Sequence, residues 1–246
     1  MEIPKSHPRY ESLTYRHKLV SGLDAGFVAK AGLIAHGRGE AFDYLLGEKT
    51  TKSAGLAERV AVAKLLLAIN PVISVNGNVA ALVPEEIVNL SKILGAKLEV
   101  NLFYRTPERE QKIKEILINA GAGKVFGAGV ARRKIPGLDS ERGKVDPDGI
   151  FTADVVMVPL EDGDRAEALA KMGKDVIAID LNPISRTSKA AGITIVDNII
   201  RAIPNMIKLA GEMKELDKRE LKKLIKEFDN GKNIEDGLKE MCRKFK

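Results

Sequence analysis

From residue 71 onward the chain alternates short apolar runs with stretches of helical periodicity. Residues 72–75, 97–103, 125–129, 155–160, 176–180 and 193–196 are the runs, rich in Val and Ile and edged by Asn, Asp or Gly. Such runs suit strands buried on both faces of a parallel sheet. Helices are predicted between them over 84–94, 107–119, 166–172, 185–191 and 199–213. Thr106 is a candidate cap for the second, and Pro84 opens the first with its φ already set for a helical turn. Six strands separated by helices predict an α/β fold, a Rossmann-like doubly wound sheet that is mainly parallel.

The flanks read differently. Residues 1–70 carry no strand pattern and predict helices over 10–20, 25–34, 41–46 and 53–69, an N-terminal helical region packed on the core. Ala35-His36-Gly37-Arg38-Gly39-Glu40 is read as a break between the second and third. After the core of 71–213, residues 214–246 form a helical C-terminal appendage. There Asp217 with Glu220 makes a capping pattern, and Leu221, Leu224, Ile225 and Phe228 form a stripe. Asn233 is read as the cap of a last helix with Ile234, Leu238, Met241, Cys242 and Phe245 on one side. Both stripes are docking faces and a candidate subunit interface, which makes Cys242 a buried structural thiol rather than a nucleophile. The charged stretch 131–149 is read as a functional or mobile loop, with Arg132-Arg133-Lys134 an anion holder or merely solvated.

Composition narrows the function classes. Hydrophobic residues are 44% of 246, enough for a sizeable core, yet no apolar run approaches the ~20 residues of a membrane helix. The polar, proline-bearing start is not expected to be a signal peptide. One cysteine excludes an internal disulfide framework and fits a reducing cytoplasm. The formal charge is +6, and from Lys214 on there are eleven Lys or Arg against eight Asp or Glu, so half the excess sits in the tail. With aromatics at 4% and no Trp, the stacking platforms of a nucleic-acid binder are missing. Small anions suit this charge better than a polymer.

Several familiar sites are absent. There is no Gly-x-x-x-x-Gly-Lys-Ser/Thr phosphate loop and no Gly-x-Ser-x-Gly elbow. Gly121-Ala-Gly123 precedes a strand instead of following one, and Phe126 stands at the third glycine position. His7, His17 and His36 have no metal-ligand spacing. What remains is a set of polar clusters at element ends. The run 176–179 stops at Asp180-Leu181-Asn182-Pro183, and Ser185, Arg186, Thr187 and Ser188 then occupy a helical first turn, where free N–H groups and the helix dipole favour an anion. An ordinary capped strand-to-helix joint explains that stretch equally well. Arg16, the 36–40 segment, Asn76-Gly77-Asn78, Arg105 and Asn198 sit at comparable places. Glycines beside Arg38 would let the backbone approach a phosphate. One charge-assisted hydrogen bond is worth about 1.5–3 kcal/mol and micromolar affinity needs about 8, so several clusters must converge.

Residues 35–44, 73–81, 101–105 (Asn-Leu-Phe-Tyr-Arg) and 179–188 (Ile-Asp-Leu-Asn-Pro-Ile-Ser-Arg-Thr-Ser) together resemble the archaeal phosphopantothenate synthetases, the 4-phosphopantoate–β-alanine ligases. The resemblance runs over essentially the whole chain. It implies ATP-dependent condensation of 4-phosphopantoate with β-alanine, giving 4'-phosphopantothenate, AMP and diphosphate in coenzyme A biosynthesis. It implies a homodimer and ATP with Mg²⁺. On the family pattern the ATP ligands are Arg16, Arg38, Asp180, Leu181, Asn182, Arg186, Thr187, Asn198 and Ile199. Arg38, Arg186 and Asp180 are then the catalytic candidates, because adenylating a carboxylate builds charge at the α-phosphate that guanidinium groups stabilise. For 4-phosphopantoate, position alone favours Asn76, Gly77 and Asn78, then Arg105. His36 and Glu40 are candidate bases that have structural readings as well. A non-catalytic nucleotide-sensing module and an oxidoreductase are the competing classes.

Overall fold

Val72, Ile73, Ser74 and Val75 send alternate side chains to opposite sides of one sheet, and the fold grows from that alternation. The computed structural model describes residues 3–129 and 132–243. Three helices come first, α1 (Tyr10–Asp24), α2 (Lys30–Leu46) and α3 (Lys52–Leu67). The next elements are β1 (Pro71–Val75), α4 (Gly77–Leu82), α5 (Pro84–Leu94), β2 (Lys97–Val100), α6 (Pro107–Asn119) and β3 (Val125–Phe126). A hairpin of β4 (Arg133–Lys134) and β5 (Lys144–Val145) leads to β6 (Val155–Pro159), α7 (Gly163–Lys171), β7 (Asp175–Ile179), α8 (Arg186–Ala190) and β8 (Ile193–Ile195). The chain closes with α9 (Ile199–Met213), α10 (Lys218–Lys226) and α11 (Asn230–Cys242).

The six core strands are all parallel, in the order β3-β2-β1-β6-β7-β8. This is the doubly wound Rossmann order, with the chain reversing direction across the sheet between β3 and β6. Ile73, Val75, Val155, Met157, Ile177 and Ile179 face a layer built from α3, α5 and α9. Val72, Val156, Val158, Val176 and Ala178 face the other side, where α7 supplies Ala166 and Leu169. The segment that crosses between the two halves, residues 132–153, adds Ile135, Leu138, Val145 and Ile150 to that second face. Almost all of these side chains are fully buried, and each of the six predicted apolar runs holds a strand, although the third is cut from 125–129 to Val125–Phe126, where Gly127 takes a positive φ.

Four local expectations are corrected. Residues 35–40 are not a break: α2 runs unbroken through Gly37, Arg38 and Gly39, so no glycine loop exists there to wrap a phosphate. The second strand ends at Val100, not 103, because buried Asn101 turns its amide onto the Arg142 and Lys144 carbonyls. Asn233 does not cap the last helix. Asp229 does, accepting from Lys232 N at 3.0 Å, while Asn233 is buried and donates to the Thr194 carbonyl. Cys242 is exposed, since the stripe that docks turns Met241 inward and leaves the thiol on the outer side. Within the 131–149 stretch the β4–β5 hairpin and the Ile135, Leu138 and Val145 anchors make an ordered crossover. Ala131 and Phe245 lie outside the described residues. Among the described residues no helix is long and apolar enough to cross a membrane.

Candidate functional site

The carboxyl ends of β1, β2, β6, β7 and β8 open into one cleft of about 560 Å³, roofed by α2. Strand ends at the reversal point of a doubly wound sheet are where such folds hold ligands. Arg38, Asp180, Leu181, Asn182, Arg186, Thr187, Asn198 and Ile199 line this cleft, and so do Asn76, Gly77 and Asn78. Eleven of the thirteen candidate ATP and 4-phosphopantoate ligands therefore share one cavity, although more than 160 positions separate Arg38 from Ile199.

At the β7–β8 end the backbone is held by its own side chains. Asp180 accepts from Asn182 N at 2.9 Å and from Ser185 Oγ at 2.6 Å. Burial pushes its carboxyl up, opposed by those two bonds and by Arg38. Ser185 caps α8 by accepting from Ser188 N. Thr187 Oγ1 donates to the Glu161 carbonyl at 2.9 Å, binding α8 to the loop after β6. Gly163 makes that approach possible, for a Cβ there would overlap Arg186 Cβ and crowd Thr187 N. Arg186 is exposed and rests on Glu167 at 3.0 Å, a pair weak enough to yield to a ligand. Asn198 caps α9, and its amide donates to Asp43 Oδ2 at 2.8 Å. Leu181 packs with Leu46, Val196 and Met241, so the roof and the last helix meet at this end.

At the β1–β2 end the asparagines are tied down. Asn76 caps α4 and donates to the Pro159 and Leu160 carbonyls, both at 3.1 Å. That clamp supports Leu160 in a left-handed conformation, φ 53°, at the middle of the cleft. Asn78 donates to the Gly32 carbonyl at 2.9 Å. Gly77 is forced by proximity: a Cβ would collide with the Phe27 carbonyl. What these three residues leave for a ligand is backbone N–H groups rather than side-chain amides.

Two guanidinium groups that sequence reasoning passed over face the same end, Arg109 and Arg142. Arg109 lies in the first turn of the helix predicted over 107–119, and Arg142 in the charged stretch before β5. Arg142 is buried, donating to the Asn101 carbonyl at 3.1 Å and pairing with Glu161 and Asp162. Glu161 is shared with Arg165, which is fully buried and also donates to Ser74 Oγ at 3.1 Å. Strand alternation puts Ser74 on the face of β1 away from the main core, where Arg165 meets it. Behind it Glu99, buried on β2, accepts from the Asp146 and Ile150 amides, and burial pushes its carboxyl up to about 7.

Arg16 and Arg105 are not among the residues that line the cleft. Arg16 closes on Glu40 through Nε and a terminal nitrogen at 2.7–3.0 Å, and Glu40 is the one that faces the cavity. Arg105 pairs with Glu110 and donates to the Lys144 carbonyl, lining instead a separate cavity of about 510 Å³ with Arg132, Arg133, Lys134 and Lys144. It anchors the hairpin to α6. His36 lies on the cleft roof. Burial lowers its pKa, and its buried Nε2 has no hydrogen-bond partner among the described residues. Among the described residues no three metal-ligating side chains cluster.

Residues 53–244 match the family model described as phosphopantothenate/pantothenate synthetase. The chain belongs to the phosphopantothenate/pantothenate synthetase family. Among curated relatives, the 4-phosphopantoate–β-alanine ligase of Thermococcus kodakarensis is 60% identical over 239 residues, covering 97% of this chain and 91% of that one. Its namesake from Thermococcus onnurineus is 61% identical with the same coverage. That of Methanosarcina mazei is 55% identical over 249 residues, covering all of this chain and 96% of its own. The stretch of this chain that carries the synthetase family match, which begins inside α3, supplies every cleft residue named above except those on α2.

Proposed function

We propose that the protein is an ATP-dependent ligase that joins 4-phosphopantoate to β-alanine, giving 4'-phosphopantothenate, AMP and diphosphate on the route to coenzyme A. Family membership supports the activity class. The observation that carries the mechanism is the cleft itself, which gathers Arg38, Asp180–Asn182, Arg186–Thr187 and Asn198–Ile199 at one end and Asn76–Asn78 at the other.

ATP lies over β7 and β8. Asp180 and Asn198 face its ribose and base, and Arg38 and Arg186 face its phosphates. Mg²⁺ enters as part of the nucleotide substrate, held on its phosphates in a cleft that also presents Asp162 and Asp180. A carboxylate oxygen of 4-phosphopantoate attacks the α-phosphorus, and the bond from that phosphorus to the diphosphate oxygen breaks. Arg38 and Arg186 take up the charge that develops there, a role that needs no nucleophile from the protein. The β-alanine amine then attacks the acyl carbon, the bond to AMP oxygen breaks, and the nitrogen sheds a proton. His36 is better suited to accept it than Glu40, since burial keeps the imidazole neutral while Glu40 is committed to Arg16. The N–H groups of Gly77 and Asn78 steady the pantoate portion. Arg16 contributes by fixing the cleft wall through Glu40, and Arg105 by fixing the hairpin.

The enzyme works in the cytoplasm as a homodimer on small molecules alone, without nucleic acid or membrane. Exposed Val20, Ile34 and Leu56 on the N-terminal helices support a second copy packing there. Incubating the pure protein with ATP and each substrate in turn decides the activity. AMP must form only when both 4-phosphopantoate and β-alanine are present. ADP as product sinks the ligase, and saturable ATP binding with no AMP under any mixture leaves a nucleotide sensor.

A further inference from the structure

We propose that Arg109 and Arg142 form a seat for a phosphomonoester dianion at the β1–β2 end of the cleft, and that the phosphate of the acid substrate occupies it. The substrate named here rests on the ligase reading; the anion seat follows from the side chains.

Arg109 carries the argument. Its guanidinium donates to the Phe27 carbonyl through Nε at 3.3 Å and a terminal nitrogen at 2.9 Å, and to the Tyr104 carbonyl through the other. All three bonds go to neutral oxygens, and among the described residues no carboxylate pairs with it. A half-buried guanidinium held rigidly in this way, facing a cleft, is a charge awaiting its counterion. The Phe27 carbonyl is also the atom that forces Gly77, so Arg109 lies against the start of α4. Arg142 faces the same space, and its charge together with burial lowers the pKa of Arg109. Arg142 has partners, Glu161 and Asp162, but Arg165 beneath the cleft draws on the same Glu161. Three guanidiniums thus meet two carboxylates, and the unmatched charge is that of Arg109. Glu99 stands behind Arg165 and away from the cleft, held by backbone amides.

Distance separates this seat from the nucleotide. From β2 to β8 the strand order has four spacings of ~4.8 Å, about 19 Å across the mouth of the cleft. A phosphate anchored over β1–β2 points the rest of a short acid toward the Leu160–Gly163 loop, and the nucleotide arrives from the far side. Arg109 is also the feature that distinguishes 4-phosphopantoate from pantoate, which lacks the phosphate.

Steady-state kinetics on the full-length protein test this with Arg109→Ala and with Arg109→Gln, which keeps a donor for the Phe27 carbonyl. Both variants should raise KM for 4-phosphopantoate about tenfold or more while KM for ATP stays within about twofold. Activity with pantoate should not fall further, and inorganic phosphate should lose its competition against 4-phosphopantoate. A rise in KM for ATP instead, equal losses on pantoate and 4-phosphopantoate, or unchanged KM would overturn the seat. Calorimetry of 4-phosphopantoate binding without ATP reads the seat independently of turnover. If wild type binds the acid and the variants do not, yet no AMP forms, the ligase reading has failed and the seat has survived.

Discussion

Asn198 donates its side-chain amide to Asp43 at 2.8 Å, joining the start of α9 to the helix that roofs the cleft. Arg201 closes the arrangement by pairing with both Asp43 and Asp197 at 2.6 Å. Removing Asp43 frees the Asn198 amide and leaves Arg201 one partner short. Asp43→Ala should cost about 1.5–3 kcal/mol in urea unfolding, the worth of a hydrogen bond to a charged group. It should also raise KM for ATP, because Asn198 loses its fixed orientation. Unchanged ATP kinetics in a destabilised variant would confine Asp43 to a structural role.

Glu58, buried on α3, is pushed up to about 8 by burial, with an Asn205 amide on it at 3.2 Å and Asp197 nearby. In the unfolded chain the same group titrates near 4.5. Between those values the folded protein binds a proton that the unfolded chain has released, so stability falls as pH rises. The benefit of the neutral acid is whole below about pH 4.5, erodes by up to about 1.4 kcal/mol per pH unit, and is gone above about 8. Glu58→Gln keeps the shape without the titration. Urea unfolding at pH 6 and pH 9 should show the variant losing less stability than wild type across that interval.

Gly163 lets the loop after β6 meet the first turn of α8. Gly163→Ala should displace Arg186 and Thr187 together while the sheet, whose contacts lie elsewhere, survives. Circular dichroism should match wild type, and KM for ATP should rise about tenfold. An alanine variant with wild-type kinetics would show that α8 does not touch the nucleotide.

Arg186 shares an exposed ion pair with Glu167, which contributes little to folding. Arg186→Ala should therefore leave the melting temperature within about 1–2 °C while lowering kcat/KM for ATP at least about tenfold. Lost thermal stability with intact ATP kinetics would reverse that assignment.

The sheet was legible in the sequence because its strands are buried on both faces. Val-Ile-Ala-Ile at 176–179 has no other comfortable home than the middle of a parallel sheet. The roof was not legible. Two glycines around Arg38 each weaken a helix by about 1 kcal/mol, so a break is the natural reading there. Tertiary contact overrides it, with Gly39 lying against Leu181, a Cβ there falling 3.4 Å from Cδ1.

Much of the candidate site could be read because polar residues at strand ends have few structural reasons to be there. Arg109 and Arg142 escaped for the opposite reason, since each sits in a run of charges where an arginine needs no explanation. Arg105 drew attention by ending the Asn-Leu-Phe-Tyr-Arg stretch that follows a strand. Only the fold shows that this stretch turns at Asn101, sending Phe103 and Tyr104 to the cleft and Arg105 behind it.

Met241 on α11 touches the same small cluster as Leu46, Leu181 and Val196. The floor and roof of the β7–β8 end of the cleft are thus joined through a helix that follows every described strand in the chain. The strands pair without α11, but the β7–β8 end of the cleft takes one of its packing partners from that helix. The wall around Leu181 thus depends on residues as far apart as Leu46 and Met241, and its shape is a property of the assembled helices rather than of the sheet alone.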